Sequence, residues 1–172
     1  MASRGPTAEA QLRAFFAKYA PDAAAAGRKV RARLRELVPG ATELVYDNYN
    51  GLVIGFGPSE RASDAVLSMI VLPDHVSVCF LQDGPDLPDP TRILRGSGTV
   101  VRHVRLATPD ELEQPAILEL IRTALKRADV PINPKGRRKL VIRSVSKKQR
   151  PRRLQEGRAS ARPKTGPARA GP

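Results

Sequence analysis

The run Ala65-Val66-Leu67-Ser68-Met69-Ile70-Val71-Leu72 is apolar at nearly every position, and only Pro73-Asp74-His75 separates it from Val76-Ser77-Val78-Cys79-Phe80-Leu81. Successive side chains of a strand point to opposite faces, so a run apolar on both belongs in the middle of a sheet. A link this short permits a hairpin and excludes a crossover, which makes the two strands antiparallel neighbours. Towards the N-terminus, residues 52–56 follow Asn50-Gly51, a dipeptide suited to a tight hairpin because both residues tolerate positive φ. Residues 43–48 form a short mixed strand before that turn. On the other side, residues 99–106 read as a fifth strand.

Helices flank this block. Thr7 is placed to cap a helix running to about Tyr19, with Leu12, Phe15, Phe16 and Tyr19 on one face. Pro21-Asp22 opens a second helix, whose apolar stripe is Ala26, Val30, Leu34, Leu37 and Val38, and Pro39-Gly40 ends it. After the proline-rich loop 83–88, Asp89-Pro90 reads as an N-cap and first position of one helical turn through Leu94, stopped by Gly96. Thr108-Pro109-Asp110-Glu111 has capping-box spacing, and Pro115 starts a final helix facing the core with Ile117, Leu118, Ile121 and Leu125. The order implies an α+β fold: an antiparallel sheet of about five strands with two N-terminal helices and one C-terminal helix. The helices cover one face, leaving the other partly open to solvent or a partner.

Charge divides the chain more sharply than hydropathy. The formal net charge is +13, yet of the 30 Lys and Arg fourteen lie from Lys135 onward, accompanied by the single acid Glu156. The remaining sixteen cations and sixteen acids balance within residues 1–134. This sets a folded domain at 7–134 and a basic extension at 135–172. Leu140-Val141-Ile142-Arg143-Ser144-Val145 alternates as an edge strand would, or orders only on meeting a partner, and from about Lys147 the composition reads as disordered. Arg137, Arg138, Lys139, Arg143, Lys147, Lys148, Arg150, Arg152 and Arg153 are the candidate nucleic-acid contacts. No aromatic residue follows Phe80, so such binding is electrostatic and blind to sequence, or the extension only solubilises.

Several function classes find little support. No apolar stretch follows the N-terminal charge, as a secretory signal requires, and the longest apolar run is far below a membrane span of roughly 18 residues. Cytoplasmic location is the expectation. Cys79 is the only cysteine, which leaves no intrachain disulfide, and it reads as a packed thiol. His75 and His103 lack a neighbouring nucleophile, Ser144-X-X-Lys147 sits in the basic extension, and Gly55-X-Gly57 lacks a third glycine. Asp83, Asp86 and Asp89 lie in a loop without calcium-loop spacing, and no residue is assigned to a metal.

Two places remain for a small ligand or a protein partner. One is the polar and aromatic cluster Tyr46, Asp47, Asn48, Tyr49 and Asn50, whose residue types equally serve a hairpin turn. The other is Arg95, Arg102 and His103. Alternation puts Arg102 on the apolar side of the fifth strand, where it pairs with Asp47 or Glu43, or joins Arg95 and Gly96-Ser97-Gly98 in an anion pocket.

Several motifs occur in an order that resembles the YdhG-like domain family. They are residues 43–50, Ile54-Gly55-Phe56-Gly57-Pro58, Glu60-Arg61-Ala62-Ser63-Asp64, and Val76-Ser77-Val78 before Phe80-Leu81. Leu87-Pro88-Asp89-Pro90 and Gly96-Ser97-Gly98 leading into Val101-Arg102-His103-Val104 continue the order, and residues 140–153 look like an extension found on some members. The resemblance implies a frataxin-like α+β domain without assigned catalytic residues, and for some members an iron-binding or metal-chaperone role. Such sites use an acidic first helix and following strand. Here the first two helices offer Glu9, Asp22 and Glu36 among an excess of Lys and Arg, which repel the cation. The expected function is a non-enzymatic binding module without cofactor, contacting nucleic acid or another polyanion through its tail, with iron binding as the alternative.

Overall fold

The computed structural model describes residues 5–155; the part of the expected unstructured tail from 156 onward lies outside them. Helix α1 spans Ala8–Ala17, and the Thr7 hydroxyl accepts the Ala10 N–H at 3.2 Å. Helix α2, Pro21–Leu37, begins on its proline. Strands β1 (Thr42–Asp47), β2 (Leu52–Gly57), β3 (Leu67–Val71) and β4 (Val76–Phe80) follow as hairpins, then β5 (Arg102–Leu106) and helix α3 (Pro115–Arg127). Strand β6 takes Lys139–Val145.

The sheet is mixed and six-stranded, in the order β5-β4-β3-β2-β1-β6, not an antiparallel sheet of about five strands. Strand β6 lies parallel to β1, pairing Thr42 with Lys139 through Asp47 with Val145. The physical reason is the crossover: the chain leaves β5, passes through α3 and returns along the outside of β1 in the direction of β1 itself. The register slips between Val45 and Tyr46, where Ile142 and Ser144 are the successive partners, so Arg143 is the extra, bulged residue.

Two other local expectations give way. Residues 89–94 form no helical turn; the Asp89 carboxylate accepts the N–H groups of Ile93 (3.0 Å) and Leu94 (2.9 Å), and Arg92 turns into the left-handed region at φ 54°. Residues Pro109–Glu113 are a 3-10 helix in which Thr108 makes no side-chain cap, while Glu111 still accepts the Ala107 N–H at 2.8 Å.

One sheet face is the core. Val45, Ile54, Met69, Val78 and Val104 lie on it in register, buried beneath Leu12, Phe16, Leu34, Ile117 and Ile121. The helix layer sits close: a Cβ at Gly27 would lie 2.8 Å from the Phe16 ring and 3.0 Å from Val71, so glycine lets α2 approach both. Buried Tyr19 donates to the Val71 carbonyl at 2.8 Å and accepts the Leu52 N–H at 2.9 Å, tying the end of α1 to β2 and β3.

Candidate polyanion interface at the sheet edge

Alternation along β1 sends Glu43, Val45 and Asp47 to the covered face, so two carboxylates enter the core side of the sheet. A buried charge is tolerated only when paired and hydrogen-bonded. Arg31 meets Glu43 with its fork, Nε to Oε2 at 2.6 Å and Nη2 to Oε1 at 3.1 Å, and Arg35 Nε lies 3.1 Å from the same carboxylate. Asp47 receives Lys18 Nζ at 2.5 Å and Arg152 Nη2 at 2.9 Å. Burial pushes the Asp47 carboxyl up, but hydrogen bonds from Lys18, Gln149 and Arg152 outweigh it and hold the group below the usual carboxylate range.

Arg152 is itself buried, with its guanidinium over the Tyr19 ring at 5.7 Å and further hydrogen bonds to the carbonyls of Asn48 and Tyr49. Around it the chain after β6 is fastened to the β1–β2 turn. Ser146 N–H donates to the Asp47 carbonyl at 2.9 Å, Gln149 Nε2 to the same carbonyl at 3.0 Å, and Arg150 N–H to the Tyr49 carbonyl at 2.9 Å. The composition of residues 147–155 suggests disorder; these hydrogen bonds are the reason they instead lie against the body.

The nine candidate contacts in the extension therefore divide. Arg152 is taken up by Asp47. Arg138 donates to the Arg35 carbonyl, Arg153 Nε to the Lys18 carbonyl at 3.3 Å, and Lys139 lies 3.5 Å from Glu60. Arg150 stands over the Tyr49 ring at 5.4 Å. Arg137, Arg143, Lys147 and Lys148 are exposed and have no side-chain partner among the described residues. The result is a cationic ridge along β6 and the segment after it. The Arg143 bulge and the lysines also blunt this edge against pairing with another strand.

The two groups of ligand-pocket candidates are not brought together. Tyr46, Asn48, Tyr49 and Asn50 surround the β1–β2 turn, where Asn48 and Tyr49 hold Arg152 through their carbonyls. Arg95, Arg102 and His103 lie at the opposite edge, since β5 and β1 are separated by three strands. Arg102 accordingly pairs with neither Asp47 nor Glu43; its Nη1 donates to the carbonyls of Gly98 and Val101. His103 has its pKa lowered by burial and by the charges of Arg95 and His75, which favours the neutral imidazole.

A cleft of about 330 Å³ lies between α2, the β3–β4 turn and the end of β5, lined among others by Asp22, His75 and Thr108. His75 Nδ1 is 2.7 Å from Asp74, which also meets Arg105 at 3.2 Å. Sequence reasoning missed this oriented histidine, although Asp74-His75 are adjacent; no hydrogen bond joins His75 to a hydroxyl or thiol among the described residues. Asp83, Asp86 and Asp89 are not gathered: among the described residues no three His, Cys, Asp or Glu side chains are placed to hold a metal ion. No described helix is long and apolar enough to cross a membrane. No family model matches the chain, and neither the curated proteins nor the solved structures contain a match to it.

Proposed function

We propose that the chain is a non-enzymatic binding module that lays its β6 edge and the segment after it along a polyanion, nucleic acid above all, without reading base sequence. The observation that carries this reading is the division of labour among the extension's cations. Arg152 anchors the segment from within, while Arg137, Arg143, Lys147 and Lys148 face solvent with no side-chain partner among the described residues. A fixed row of cations gains from counterion release and spends little entropy on ordering when it meets phosphates. Tyr49, 48% exposed beside Arg150, is a lone ring, so stacking contributes little to the binding. The order of helices, antiparallel strands and helix also supports reading the body as YdhG-like and of frataxin-like architecture.

The experiment is a titration of unrelated DNA duplexes and RNA hairpins by fluorescence anisotropy, across salt from about 50 to about 200 mM. Replacing Arg143, Lys147 and Lys148 by Ala is expected to weaken binding to every sequence alike. The slope of log K against log salt becomes shallower by about 0.9 for each phosphate that the variant no longer neutralises. Equal affinity and slope in wild type and variant would refute the reading.

A further inference from the structure

The opposite edge of the sheet carries a second concentration of positive charge, built differently. Arg92, Arg95 and Arg105 converge on a cleft of about 220 Å³ at the outer side of β5, where Gln114 and Glu111 complete the polar lining. Their placement is enforced by backbone. Arg95 is locked to His103 by reciprocal main-chain hydrogen bonds of 2.8 and 2.9 Å, one rung beyond β5. Paired residues of a ladder share a face, and Arg105 lies two residues after His103, so the side chains of Arg95 and Arg105 leave the backbone on the same side of the sheet, at its edge. Arg92 comes from the turn pinned by Asp89 and holds φ at 54°, a conformation that a branched or long side chain adopts at a cost.

The charges around the cleft do not cancel. Three guanidiniums face two carboxylates, Glu111, which lines the cleft and accepts the Ala107 N–H, and Asp74, which meets Arg105 at 3.2 Å. Arg92 and Arg95 have no side-chain hydrogen bond or ion pair among the described residues. Like charges held together by a strained turn are unfavourable unless an anion joins them. Gln114 is the N-cap residue of α3 and makes no side-chain cap, leaving its amide available on the same cleft. Three guanidiniums and an amide offer many N–H donors and few acceptors, which suits an oxyanion with several equivalent oxygens better than a single carboxylate.

The geometry points to a binding site for the phosphate group of a small phosphomonoester in the Arg92–Arg95–Arg105 cleft. At about 220 Å³ the cleft is the size of a single phosphate group and not of a continuous backbone. It lies at the far edge of the sheet from the β6 ridge, and the two sites are independent.

The test uses the full chain at constant ionic strength, with inorganic phosphate, O-phosphoserine and a DNA duplex as separate probes against a chloride control. Calorimetric titration and the melting temperature are the readouts. Wild type is expected to bind O-phosphoserine and inorganic phosphate and to melt higher in both. The variant Arg95→Ala is expected to bind about 10-fold more weakly, as removal of one charge-assisted donor implies. Lys147→Ala with Lys148→Ala binds both small probes as wild type does. Arg92→Gly relieves the left-handed backbone while removing a guanidinium, so it melts at or above wild type without ligand and yet loses the phosphate response. That pairing separates a binding role from a structural one. Absence of any response beyond the chloride control, an undiminished response in both arginine variants, or a response to DNA alone would each overturn the assignment.

Discussion

Asp47 has a side chain with 0% exposure, and its charge is kept only because Lys18 and Arg152 reach it. Removing a carboxylate from such a pair strands a buried cation, so Asp47→Ala is expected to lower unfolding free energy by about 3–5 kcal/mol, measured by urea denaturation. Arg152→Ala leaves Lys18 to neutralise Asp47 and is expected to cost less, while raising amide exchange at Ser146 and Arg150. The pH dependence follows from the lowered carboxyl. A group whose folded pKa is depressed contributes stability above its unfolded value, near pH 4, and that contribution disappears as pH falls through the folded pKa. Wild type should therefore lose stability below about pH 4 more steeply than Asp47→Asn. Cys79 tests the opposite shift. Burial pushes its thiol up, against a smaller lowering from Ser68, so its reaction with a disulfide reagent at neutral pH is expected to be slower than that of a free thiol.

Element by element, the local reading of the sequence goes far. The Thr7 cap, the proline starts of α2 and α3 and the 73–75 link each act through their own or neighbouring backbone, which is why composition exposes them. The β1–β2 hairpin also forms, but neither Asn50 nor Gly51 takes positive φ, and Gly51 is there because a Cβ would lie 2.6 Å from the Val71 carbonyl. Thr7→Ala should cost about 0.5–2 kcal/mol by the same denaturation. What composition does not expose is partner choice across distance. Residues 140–145 alternate visibly, but nothing in them names β1 as neighbour or parallel as direction; the α3 crossover decides both. Likewise Arg150, Arg152 and Arg153 are alike as letters, and only the geometry around Asp47 makes the middle one a core residue. The Arg92 turn is hidden in the sequence because Asp89-Pro90 is a fair helix start, and the left-handed residue that stops it is not glycine. For the same reasons, cutting the chain after Pro134 is no neutral removal of charge. It takes β6 from β1 and Arg152 from Asp47, so that protein is expected to melt well below one ending at Gln155, by scanning calorimetry.

Over the whole molecule, charge is organised by edge. The helical layer uses part of its excess internally, with Arg31 serving Glu9 and Glu43, and Arg33 serving Glu36 and Glu113. Among the described residues, cations without a side-chain partner stand on both outermost strands or their loops, Arg143, Lys147 and Lys148 at one edge and Arg92 and Arg95 at the other, while others such as Arg13 and Lys126 lie on the helices. The formal balance of residues 1–134 is readable by counting; that a cation of the extension is buried against one of their acids, Arg152 against Asp47, is not. A practical expectation follows for the two edges: high salt should weaken nucleic-acid binding at β6 steeply, while affinity for O-phosphoserine, which brings a single phosphate, should fall by a much smaller slope in the same buffer series.

The link between Asp47 and Arg152 spans 105 positions. On the ribosome, β1 is made before β6 and stands with one flank unpaired, and with an acid lacking one of its two counter-ions, until Lys139–Val145 and Arg152 have been added. A nascent chain of this kind is vulnerable to association through that flank, and it reaches its final architecture by a late closing step. Refolding in vitro should show a slow phase that Arg152→Ala alters, because joining β6 and its anchor to β1 closes a long loop.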